Sequence, residues 1–66
     1  MSIGKRIADR RNAKGFTQSE LAKMVNVSCG MIAQLERGTK ALTVNLGLDI
    51  ARVLECELMD IVRERP

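Results

Sequence analysis

The sequence predicts an all-α fold: a compact bundle of five short helices, two of them joined tightly enough to make a helix-turn-helix. Three observations predict it. No segment shows the apolar–polar alternation of a half-buried strand. Helix-starting and helix-stopping residues divide the chain into five pieces with no repeat, linker or low-complexity stretch between them. Only Asn26, Val27 and Ser28 separate the second helix from the third, a break so short that the two must cross steeply.

The first helix is expected from about Ile3 to Lys14. Ser2 can cap it, Gly15 can end it in a left-handed conformation, and Ile3, Ile7 and Ala8 share one face. The second begins at TQSE, where Thr17 and Glu20 have the spacing of a capping box and Leu21, Ala22 and Val25 form the apolar side. Asn26 follows, one of the few residues besides glycine that tolerates a left-handed turn. The third helix is VSCGMIAQLERG, with Ser28 as its cap and Gly38 as its stop. After a loop from Thr39 to Leu42, a fourth helix is expected from about Val44 to Leu54. Only Asn45, Asp49 and Arg52 interrupt its apolar surface, which describes a central, buried helix. Gly47 costs it about 1 kcal/mol relative to alanine, so a close backbone contact is expected there. The fifth helix is short, about Leu58 to Arg63, and Glu57 caps it poorly.

A chain of 66 residues with 45% apolar content is one domain, residues 1–66, with enough apolar surface for a core. No apolar run approaches the ~18 residues of a membrane-spanning helix. The N-terminus MSIGKRIADRR is charged and lacks an apolar signal region, so a cytoplasmic protein without a membrane partner is expected. Two cysteines and no histidine make neither a disulfide framework nor a zinc site, so reduced thiols and no bound metal are expected. Histidine, tyrosine and tryptophan are absent and no acid–base constellation occurs, so no enzyme is expected and no catalytic residue, cofactor or small-molecule ligand is named. A net charge of +3 hints at an anionic partner, and Lys5, Arg6, Arg10, Arg11 and Lys14 crowd the first helix with only Asp9 opposing.

On the third helix, Cys29, Gly30, Ala33, Gln34 and Arg37 fall on one side, and Met31, Ile32, Leu35 and Glu36 on the other. The first side is small at its N-terminal end and polar further along. A helix entering the major groove presents its N-terminal turn to base edges, and small residues let its backbone come close. Gln34 can pair two hydrogen bonds with adenine. The alternative is a face that is merely solvated. Arg11 lies on the inner face of the first helix and Glu36 at the edge of the inner face of the third. Buried charges of opposite sign need one another, so an Arg11–Glu36 pair is expected, against the alternative of two exposed charges.

The stretch TQSELAKMVNVSCGMIAQLERG resembles the helix-turn-helix of the Cro and phage-repressor (Xre-type) DNA-binding proteins. The matching residues are Thr17-Gln18, Leu21-Ala22, Val27-Ser28, Ile32, Leu35-Glu36 and Gly38, and the likeness extends upstream to IADRRNAKG and downstream to LDIARVLECELMDIV. The resemblance implies a five-helix, lambda-repressor-like DNA-binding domain, its helix-turn-helix at about 17–38, that binds double-stranded operator DNA as a dimer. It implies that Thr17 and Gln18 meet phosphates. It puts Ser28, Cys29, Gly30, Ala33 and Gln34 toward the groove and Arg37 and Lys40 on the DNA backbone. It also makes Arg11 and Glu36 a family ion pair. Cys29 and Gly30 stand where longer polar side chains often read bases, so readout of DNA shape gains weight.

The function expected is a sequence-specific transcriptional regulator, repressor-, Cro- or controller-like, acting as a homodimer on a palindromic operator. Alternatives are the DNA-binding antitoxin of a toxin–antitoxin pair and a protein-interaction module of the same fold. Met59 and Val62 are the candidate dimer residues, because Leu58 and Ile61 can fill the core while Met59 points elsewhere.

Overall fold

The computed structural model describes residues 2–62. It contains α1 (Ile3–Ala13), α2 (Gln18–Met24), α3 (Cys29–Arg37), α4 (Val44–Val53) and α5 (Leu58–Val62), and no strand among the described residues. The boundaries follow from local chemistry. Ser2, Thr17, Ser28 and Thr43 each accept a first-turn backbone N–H from their own helix. Gly15 (φ 78°), Asn26 (φ 60°) and Gly38 (φ 81°) turn the chain through the left-handed region where α1, α2 and α3 end. The expected end of α5 at Arg63 lies outside the described residues.

The helices enclose one core of Ile7, Leu21, Ala22, Val25, Ile32, Leu35, Ile50, Ala51, Leu54 and Ile61. Ile7, Leu21, Ile32, Ile50, Leu54 and Ile61 are under 2% exposed; burying each such side chain contributes roughly 1.5–3 kcal/mol. The pairs α2–α3 and α1–α3 are the most extensively packed, so α3 is held from two sides while its third faces outward. At Gly4 the approach of α1 to the end of α3 is closest: a Cβ there would lie 2.5 Å from the Leu35 carbonyl oxygen and 2.4 Å from that of Glu36.

Helix α4 differs from expectation. It is not buried all round: Ile50 and Ala51 enter the core, but Val44 is 67% and Leu48 46% exposed. A helix five residues long on one flank and α2 on the other cover only part of its circumference. Gly47 does mark a close contact, though with side chains rather than backbone: a Cβ would sit 2.7 Å from Leu58 Cδ1 and 3.2 Å from Leu42 Cδ2. At the end of α4, Glu55 adopts φ 56°, a conformation nothing in its side chain favours, while the Cys56 N–H closes onto the Ala51 carbonyl at 2.9 Å. At the start of α5, Asp60 Oδ2 accepts the Glu57 backbone N–H at 3.0 Å, the reciprocal half of a capping box.

Candidate nucleic-acid interface

The outward side of α3 is built by its caps. Ser28 Oγ accepts the Met31 N–H at 3.1 Å, and Gly38 lets the Thr39 N–H close onto the Gln34 carbonyl at 3.0 Å. Ile32 and Leu35 anchor the inner side at 0% and 3% exposure. Cys29, Gly30, Gln34 and Arg37 are thereby left exposed, with Ala33 half-buried between them. Space around Gly30 is open: an added Cβ would meet only Ser28 Oγ, at 3.8 Å. The fold itself therefore does not demand glycine there.

At the start of α2, Thr17 Oγ1 accepts the Glu20 N–H at 3.1 Å and Glu20 Oε1 accepts the Thr17 N–H at 2.8 Å. In both caps the hydroxyl oxygen serves the backbone and its own proton remains available to an outside acceptor. Two contacts join α2 to α3 here. Ser19 Oγ donates to Cys29 Sγ at 3.3 Å, and Gln18 Nε2 donates to Glu36 Oε1 at 2.9 Å. Gln18 is thus partly turned toward the interior.

Arg11 meets Glu36 side-on, Nε to Oε2 at 2.7 Å and Nη2 to Oε1 at 3.1 Å, with 12% and 7% of the two side chains exposed. Arg11 Nη1 adds the Phe16 carbonyl at 2.7 Å and Asn12 Oδ1 at 3.2 Å. The hydrogen bond to Glu36 raises the Arg11 pKa, burial opposing it.

The cationic crowd on α1 turns out to be largely engaged within the fold. Lys5 pairs with Asp9, Arg6 donates to the Ile61 carbonyl, Arg11 pairs with Glu36 and Lys14 pairs with Glu55. Arg37 and Lys40, by contrast, are exposed and make no ion pair among the described residues. Exposed cations without an ion pair among the described residues therefore include Arg37 and Lys40, at and beyond the C-terminal end of α3, together with Arg10 on α1 and Lys23 on α2. No group of three or more metal-binding side chains occurs among the described residues. No helix there is long and apolar enough to cross a membrane. Sequence reasoning missed Ser19 and the inward bond of Gln18, since neither depends on spacing within a single helix.

The architecture is that of a helix-turn-helix domain with α3 as the exposed second helix. A family model described as helix-turn-helix (HTH_3) matches residues 7–61, and the chain belongs to this Xre/Cro-type helix-turn-helix family. Among curated relatives, it is 37% identical over 51 residues to the HTH-type transcriptional regulator RamB of Mycobacterium tuberculosis. That match covers 77% of this chain and 11% of RamB, so the chain spans about a tenth of the length of that relative. Among solved structures, the P22 c2 repressor in complex with a synthetic operator superposes with a TM-score of 0.89 at 31% identity, covering 94% of each chain. The restriction-modification controller protein C.AhdI from Aeromonas hydrophila gives 0.86 at 27% identity, covering 89% of each.

Proposed function

We propose that residues 1–66 act as one DNA-binding domain of a transcriptional regulator that reads double-stranded DNA through α3. The observation that carries this is the exposed face of α3, small at Cys29 and Gly30, polar at Gln34, and followed by the unpaired cations Arg37 and Lys40. Bases are read by Gln34, with Ser28 and Cys29 as shorter donors and Gly30 and Ala33 admitting the backbone to the groove. Phosphates are met by Thr17, Gln18, Arg37 and Lys40. The superposition on an operator-bound repressor supports this placement.

The working unit is a homodimer on a palindromic operator. A single module of this kind buries about 600–1,000 Å² on DNA, which limits its specificity, and two copies double the contacts. Met59, 42% exposed on α5, supports this reading; Val62 is half-buried against the core and contributes less surface. The domain has no catalytic activity of its own and works in the cytoplasm.

Selection of bound fragments from random duplex DNA tests the reading. A palindromic motif is expected, with affinity falling steeply as salt rises. Failure to enrich any sequence, with no salt-dependent binding to duplex, would replace it with a protein-interaction module of the same fold.

A further inference from the structure

Three donor atoms converge on the Glu36 carboxylate: Arg11 Nε and Nη2, and Gln18 Nε2. Gln18 is the first residue of α2 and is half-buried. A side-chain amide is ambivalent, since it can present either its oxygen or its N–H groups. A carboxylate partner removes the ambivalence. Facing it with the amide oxygen would be repulsive, whereas the N–H makes a charge-assisted bond. One N–H of Gln18 is committed to Glu36 in this way, and the second has no partner among the described residues. An N–H is also the group that a phosphate oxygen can accept. Arg11 completes the arrangement from the other side, because Nη1 holds the Phe16 carbonyl immediately before the Thr17 cap. The beginning of α2 is therefore clamped by a guanidinium from α1 and a carboxylate from α3.

We infer that Glu36 is a positioning residue for the DNA contact: it orients the Gln18 amide as a donor to the phosphate backbone, and Arg11 holds Glu36 in place for that purpose. The inference rests on the DNA-binding reading above and deepens it. The ion pair then sets affinity for DNA in addition to stability.

A double-mutant cycle on DNA affinity tests this, using a duplex recovered by random selection and normalising each protein to its folded fraction. Gln18→Met keeps the length of the side chain and removes the donor. It should weaken binding roughly tenfold. Glu36→Gln should weaken binding about fivefold with Gln18 present, and less than about twofold in the Gln18→Met background. A purely structural role for Glu36 predicts that the two losses multiply, and that result overturns the inference. Should Glu36→Gln fail to fold, Arg11→Lys replaces it. That variant keeps the charge but cannot hold both carboxylate oxygens and the Phe16 carbonyl, and the same dependence on Gln18 is expected. A wild-type chain that binds no duplex would overturn the DNA reading itself, whereas wild-type binding with multiplicative losses overturns this inference alone.

Discussion

The guanidinium of Arg11 lies side-on against the carboxylate of Glu36, joining α1 to α3 through two hydrogen bonds of 2.7 and 3.1 Å. Each side chain is about nine-tenths removed from solvent, so neither charge is well hydrated once its partner is gone. Arg11→Met should therefore destabilise the fold by roughly 3 kcal/mol, most of it the cost of an unpaired Glu36. Arg11→Met combined with Glu36→Met should recover part of that loss, with a coupling energy above about 0.5 kcal/mol in urea denaturation. Strict additivity would mean that the pair contributes nothing as a pair.

Gln34 and the two cations beyond α3 should separate cleanly in binding experiments. Gln34→Ala should cost about 1–3 kcal/mol on the selected site and relax preference at one base pair per half-site. Arg37→Ala and Lys40→Ala should weaken binding to every duplex and reduce the salt slope by about one unit each. A change of base preference with an unaltered slope would move Arg37 or Lys40 from the DNA backbone to the bases.

Gly30 offers a test in which stability and binding move in opposite directions. A Cβ at this position meets nothing closer than 3.8 Å in the free protein. Replacing glycine by alanine inside a helix stabilises it by roughly 0.5–1 kcal/mol. Gly30→Ala should thus raise the melting temperature while lowering DNA affinity, because the added methyl separates the α3 backbone from the groove. A stabilised variant with undiminished affinity would show that the backbone does not come close to DNA at Gly30.

Much of this arrangement was legible in the sequence where the deciding chemistry is local. Ser2, Thr17 and Ser28 cap, and Gly15, Asn26 and Gly38 take positive φ, because each depends on residues within a few positions. Apart from the Arg11–Glu36 pair, where one buried charge calls for an opposite one, contacts between elements were not legible. Nothing near Gly4 in the chain announces that the Leu35 and Glu36 carbonyls press against it. The apolar surface of α4 is too continuous for periodicity to give it a direction, so the exposure of Val44 and Leu48 was missed. Of the positive charge on α1, the sequence did not show that Lys5, Arg11 and Lys14 are offset by Asp9, Glu36 and Glu55, which leaves Arg6, bonded to the neutral Ile61 carbonyl, and the exposed Arg10.

Lys14 and Glu55 join the end of α1 to the turn after α4, and their hydrogen bond holds the Glu55 carboxyl below its ordinary range. The sign follows from linkage. A carboxyl with a depressed pKa in the folded state adds stability that is present above its unfolded value and is lost as pH falls through the folded value. Lys14→Met should return Glu55 to the ordinary carboxylate range in a carbon-detected NMR titration and make acid unfolding less steep. An unmoved Glu55 titration would mean that the pair does not persist in solution. Cys56 should respond oppositely at high pH: burial pushes its thiol up, so the stability present below the unfolded thiol value is lost as pH rises from there through the higher folded value.

Dimerisation provides the last test. Met59 on α5 is 42% exposed although Ile61, two residues on, is fully buried, so α5 turns one face to the core and leaves Met59 outside it. Val62 belongs with Ile61, packed against the core. The two substitutions should therefore differ. Met59→Glu should leave a folded monomer with weaker self-association and weaker operator binding, whereas Val62→Glu should lower thermal stability as well. With an interface at Met59, paired α3 helices should lie about one turn of DNA apart, roughly 34 Å, and half-site centres about 10 base pairs apart. Sedimentation velocity on the wild type and Met59→Glu, together with the half-site spacing in selected DNA, checks both halves of the argument. A wild type that stays monomeric at high concentration and binds selected DNA without cooperativity would remove Met59 from any dimer interface.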